Sequence, residues 1–230
     1  MLKVLKNLKK SLGSVIIIVI LLCIQAAADL ALPDYTSKIV NTGIQAGGIE
    51  NSVPEIVSKE NMDQILFFTD NPDEILNYYE LVGSDPTKHQ EKIIDKYLGE
   101  DYEITENMIY VQKDLDEEQI QSLEDVMVTP IMELSVVTNE DTANQIKSKM
   151  LENVPESQKS VIENMNIIEI IEMLPEEQRS QMLSEFTNSV NNMADSIKDQ
   201  AAQTAVKDIY KNLGVDTDKL QNNYILITGL

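Results

Sequence analysis

The acidic run Asp114, Asp116, Glu117 and Glu118 is where residue type and spacing first suggest chemistry, because oxygen ligands close in sequence are what a calcium loop supplies. An EF-hand loop also needs a central glycine and a distal bidentate glutamate, and neither stands at its required place. Apolar Ile120, Leu123 and Val126 follow at helical spacing, so helix capping accounts for these acids. Asp216 and Asp218 read the same way, with Asp216 or Thr217 capping a helix whose apolar face begins at Leu220. Gly43 and Gly48 have the spacing of the glycines in a phosphate loop. The Lys-Ser/Thr that must reach the phosphates is replaced by Ile49-Glu50, which excludes a nucleotide site there.

His89 is the only histidine and Cys23 the only cysteine. That leaves no His/Cys metal cluster, no Ser-His-Asp triad with a choice of base, and no disulfide within the chain. His89 lies in a Lys-rich stretch and reads as a surface residue. Carboxylates are plentiful, but no spacing singles out a hydrolytic pair. No catalytic, cofactor-binding or metal residue is therefore assigned, and an enzyme is the weakest class. Two polar residues stand apart for their setting: Gln25 and Asp29 lie inside an otherwise apolar stretch, Leu12 to Leu32. An ionisable residue in a spanning helix faces a bundle interior or water. The plainer alternative puts Asp29 at the outer boundary, against headgroups or a backbone amide.

That stretch, with Lys3, Lys6, Lys9 and Lys10 before it, is just long enough for a bilayer core of about 30 Å. The lysines favour a cytoplasmic N-terminus. The same residues also describe a cleavable secretory signal cut after Ala28; a lipoprotein signal is disfavoured because Leu22 precedes Cys23. Beyond Pro33, apolar Ile39, Val40 and Ile44 continue at helical spacing until Gly43, Gly47 and Gly48 end the helix. A signal peptide gives no reason for that continuation, which favours the anchor.

Residues 45–222 hold 37 acids against 13 bases, a net charge of −24. Nucleic-acid binding needs clustered Lys and Arg, so it is disfavoured. With no Trp and three Phe, the core must be built from Leu, Ile, Val and Met. Helix starts are expected at Ser52-Val53-Pro54-Glu55, Asn71-Pro72-Asp73-Glu74 and Asp85-Pro86, with helices of roughly 10 to 15 residues following, EILNYYELV and HQEKIIDKYLG among them. Residues 101–113 read as one or two short strands. Pro130 is expected to interrupt or close the helix that follows Asp116.

Val154-Pro155-Glu156 recurs as Leu174-Pro175-Glu176, two similar helix starts with proline at the first helical position. From Glu176 to Leu213, Leu183, Phe186, Val190, Met193, Ile197, Ala201, Ala205, Ile209 and Leu213 form one buried stripe, on a single helix or on one broken near Asn191-Asn192. Gly214 terminates it. The closing YILITGL turns apolar and reads as the opening of a second membrane helix.

At the two ends the residues carry a family resemblance. LP…IVNTGIQ followed by GGIEN resembles the first transmembrane helix of bacterial ABC exporter half-transporters, specifically Firmicutes-type multidrug/peptide permease–ATPase subunits with a large extracellular insertion between their first two membrane helices. LGVDTDKLQNNYILITGL resembles the return into the second helix. The acidic middle matches in position, length and its Pro-punctuated pattern.

The resemblance implies a mainly α fold in three parts. Residues 1–44 would form a cytoplasmic basic N-terminus and transmembrane helix 1, residues 45–222 an acidic extracellular helical domain, and residues 223–230 the start of helix 2. It implies a cell-membrane protein partnered by the bilayer, by the remaining membrane and nucleotide-binding domains of a parent subunit, and by a second half-transporter in a heterodimer. ATP and Mg would belong to that parent's nucleotide domain; this chain has no Walker or signature motif and no cofactor of its own. Gln25 and Asp29 become candidates for the translocation path, and the insertion a lid or vestibule above it. The alternative is a membrane-anchored or secreted acidic helical binding or structural protein.

Overall fold

A computed structural model describes residues 22, 25, 39–103, 108–152, 159 and 162–228. The described chain opens with a wide π-helical turn, Ile39–Gln45. Next come β1 (Ile56–Ser58), α1 (Lys59–Leu66), α2 (Pro72–Leu76), β2 (Tyr79–Leu81), α3 (Lys88–Leu98) and β3 (Ile109–Gln112). The rest is helical: α4 (Glu117–Thr138), α5 (Glu140–Glu152), α6 (Ile167–Glu172), α7 (Glu176–Asn191), α8 (Asp195–Asn212) and α9 (Thr217–Thr228). The protein is mainly helical, as its composition and punctuation suggest.

The departures cluster at a small sheet. The expected strand near 101–113 exists as β3, but it sits at the centre of three antiparallel strands ordered β1-β3-β2. Ile56 faces Val111 and Ser58 faces Ile109 on one side; Tyr79 faces Gln112 and Leu81 faces Tyr110 on the other. Ser52-Val53-Pro54-Glu55 is therefore not a helix start. Its backbone runs beside β3, where the Glu55 carbonyl accepts from the Gln112 amide at 2.8 Å. The Pro54 carbonyl accepts the buried Tyr79 hydroxyl at 2.7 Å. The helix begins later, at Lys59, where the Ser58 hydroxyl caps the Asn61 amide. EILNYYELV likewise splits, helical only to Leu76, because Tyr79 and Leu81 pair with β3.

Helix α4 is the spine. It packs against α1, α2, α5, α6, α7 and α8. From Met127 to Val137 it is buried on nearly every side. Asp116 caps it through a box with Gln119, each side chain bonded to the other's backbone amide. Pro130 neither interrupts nor closes it. A mid-helix proline costs about 3 kcal/mol, whereas each large aliphatic side chain buried on both flanks returns about 2 kcal/mol.

Of the two forms expected for the stripe from Glu176, the broken one is found: the chain leaves the helix at Asn192–Ala194, between α7 and α8. The break resets the helical phase. Ile197 consequently points outward, 58 % exposed, while Ala202, Ala205, Val206, Ile209 and Tyr210 are buried. Pro175 sits one residue before the first helical position, and most of the earlier copy of that motif lies outside the described residues. Gly214 ends α8 as expected: at φ 89 it lets its own amide reach the Lys211 carbonyl and lets the Val215 amide reach the Tyr210 carbonyl.

Among the described residues no helix is long and apolar enough to cross a membrane. Of the stretch Leu12–Leu32 only Leu22 and Gln25 are described, both helical and exposed. A first transmembrane helix there has no support from the described residues.

Candidate functional site

The π-helical turn packs against α9, and two glycines permit the approach. A Cβ on Gly43 would stand 3.2 Å from Ile225 and 3.3 Å from Tyr224. Gly48 is tighter: at φ +82, its Cβ would lie 2.9 Å from both the Gln221 Cα and the Leu220 carbonyl oxygen. Glycine is thus required there by backbone conformation and by space together. The apolar side chains of Val40, Ile44, Leu226 and Ile227 on these two elements stay exposed.

Beside this junction lies a cleft of about 250 Å³, walled by Tyr97, Tyr210 and Tyr224 and carrying Glu50, Glu55 and Lys96. The fold assembles it from four regions. Glu55 comes from the extended segment before β1; Lys96 and Tyr97 come from the last turn of α3, placed by the Thr87–Gln90 capping box at that helix's start. Tyr210 comes from the last turn of α8, and Tyr224 from α9.

The Lys96 ammonium sits 2.9 and 2.8 Å from the two carboxylate oxygens of Glu55. It also lies 4.8 Å from the centre of the Tyr97 ring. The Tyr97 and Tyr210 rings are tilted against each other with centroids 4.7 Å apart. The Tyr210 hydroxyl accepts the Glu55 amide at 2.9 Å. Burial pushes both phenols well above their usual range, and the negative charge of Glu55 adds to the effect. Both stay neutral near pH 7, so they offer ring faces and hydroxyls rather than charge.

Two further acids are drawn in from solvent. Glu133, on α4, is 1 % exposed, and among the described residues its one hydrogen-bond partner is the Thr187 hydroxyl on α7. Desolvation raises its pKa, opposed by that hydrogen bond. Thr187 also lies 3.0 Å from the Leu183 carbonyl. The Thr187 hydroxyl thus has two acceptors for its one proton, the Glu133 carboxyl and the Leu183 carbonyl. Glu124 has its pKa raised by desolvation too, offset by accepting the Ser52 amide at 3.2 Å.

The residues singled out in the sequence fall elsewhere. Asp29 and Cys23 lie outside the described residues, and Gln25 is exposed. His89 is half-buried rather than a surface residue, its Nε2 2.8 Å from the Gln112 carbonyl oxygen. Asp116 and Asp216 are helix caps; the Asp216 carboxylate accepts the Lys219 amide at 2.9 Å. Among the described residues no three His, Cys, Asp or Glu side chains converge. The cleft was not foreseen, because its members stand 41 and 155 positions apart in the chain. Compared with family models, with curated proteins and with solved structures, the chain matches none of them.

Proposed function

We propose that this chain is the N-terminal part of the transmembrane domain of an ABC-type exporter subunit. Residues 45–222 would form an extracellular lid or vestibule between the first two membrane helices. The resemblance at the chain's ends motivates the reading. The observation that carries it is the pairing of the described domain's entry and exit. A domain inserted between consecutive membrane helices must receive and return the chain at one place, and here the π-helical turn and α9 lie side by side. Exposed Val40, Ile44, Leu226 and Ile227 at that junction are what elements heading into an apolar phase would carry. The strongly acidic, disulfide-free body suits an aqueous compartment where a hydrophobic core alone holds the fold.

Topology is tested with single cysteines. In a Cys23→Ala background, Ser84→Cys lies in an exposed loop. A membrane-impermeant maleimide is expected to label it on intact cells. Labelling only after permeabilisation, or a mature chain beginning at Asp29 by mass spectrometry, overturns the topology. The transport role is tested separately. In an intact transporter, Asp29→Asn is expected to lower transport; unchanged transport and ATPase stimulation remove Asp29 from the path.

A further inference from the structure

We infer that the tyrosine-walled cleft is a binding site for a small organic ammonium ion, with the Lys96 side chain occupying it as a tethered resident in the described state. The geometry contains both halves of ammonium recognition. A carboxylate contacts the charge through two oxygens at 2.8 and 2.9 Å, and an aromatic face lies 4.8 Å from the same nitrogen. Tyr210 buttresses the Tyr97 ring, and Tyr224 adds a third aromatic wall. Glu50 and Glu55 make the lining acidic, with Lys96 its one basic residue among the described residues. A cleft of about 250 Å³ has room for a small organic cation.

Lys96 is suited to be displaced. Its side chain is 48 % exposed and hangs on a flexible four-carbon stem at the end of α3, so it can swing to solvent without moving backbone. Glu55, 21 % exposed, is the deeper partner and stays with the site. An arriving ammonium then takes the position of Lys96, neutralising Glu55 and stacking on Tyr97. No covalent change is involved. The inference stands on the cleft alone and does not depend on the exporter reading.

Tetramethylammonium is the probe, with sodium chloride at equal ionic strength as the control. The protein is the full chain in detergent. It has no tryptophan, so the emission of its eight tyrosines, three of which wall the cleft, can be followed directly; its change on titration is assigned to the cleft by comparison with Tyr97→Leu, and saturation transfer to the probe's methyl protons reports contact. Binding to the wild type is expected. Lys96→Met, which vacates the site, should tighten it at least fivefold. Glu55→Gln and Tyr97→Leu should each weaken it at least fivefold, while Tyr97→Phe keeps wild-type affinity. Equal affinity across wild type, Glu55→Gln and Tyr97→Leu would mean diffuse attraction to an acidic surface and overturns the site. So does weaker, unchanged or absent binding in Lys96→Met. Where Tyr97→Leu loses its helical circular dichroism, Glu55→Gln and Lys96→Met decide.

Discussion

Glu55 and Glu133 are both withdrawn from bulk water and both have a hydroxyl side chain as a neighbour, yet the fold handles them in opposite ways. Glu55 sits at a cleft mouth, faces an ammonium, and meets the Tyr210 hydroxyl through its own backbone amide. Glu133 is sealed between α4 and α7, with Thr187 its one partner among the described residues. Glu55 has a counter-charge and partial solvation at hand. Glu133 has neither, and burial pushes its pKa up. The first arrangement can exchange its cation for another; the second can do nothing but hold two helices together.

The largest expected effect comes from breaking the junction that shapes the cleft. Gly48→Ala forces a side chain into left-handed backbone and against α9, for a loss of about 3 kcal/mol. Gly83→Ala, with nothing within 4 Å of its Cβ, should leave the midpoint of urea unfolding unchanged. Equal midpoints for the two variants would mean that α9 does not pack on the turn.

Thr187→Val comes next. It strips Glu133 of its partner and should lower stability at pH 7 by about 2 kcal/mol, read by denaturant titration. Glu133→Gln should act in the opposite sense, raising stability at pH 7, because burial disfavours the charged carboxylate that the amide replaces. Its pH dependence has a definite sign. The folded-state pKa of Glu133 is raised, so the native state binds the extra proton, and the benefit is complete below the ordinary value of 4.5. That benefit is lost as pH rises through the folded-state pKa. The gap between Glu133→Gln and wild type should therefore close on acidification towards pH 4; a gap that widens refutes the assignment.

Lys96→Met should do least to stability. A half-exposed ion pair contributes under about 1 kcal/mol, so its thermal midpoint should hardly move while its cation affinity changes. A large stability loss would place the pair with the structural acids and erase the contrast with Glu133.

Much of the helical framework was legible locally. Asp116 with Gln119 declares the start of α4, Gly214 the end of α8, and Asp216 the start of α9. Each is a contact within a few residues, which the spacing of residue types records directly. Of the strands, only β3 was legible, from its alternating residues. β1 and β2 are three residues each, and segments this short hold their conformation only by pairing with β3. Pro54 and Pro130 misled for a related reason: their local preferences were overridden by a hydrogen bond from Tyr79 and by burial along α4. The cleft was illegible altogether, since Glu55, Lys96 and Tyr210 share no local pattern.

By itself, then, the sequence determined a mainly helical, acidic body with its caps, its Leu/Ile/Val/Met core and its apolar ends, because propensity, capping and charge are properties of short stretches. The tertiary structure alone decided that an internal lysine and glutamate meet on a tyrosine face, that Glu133 is sealed away from solvent, and that entry and exit run side by side past Gly48. Those outcomes rest on long-range packing, whose contacts are chosen by the whole core and by no single segment.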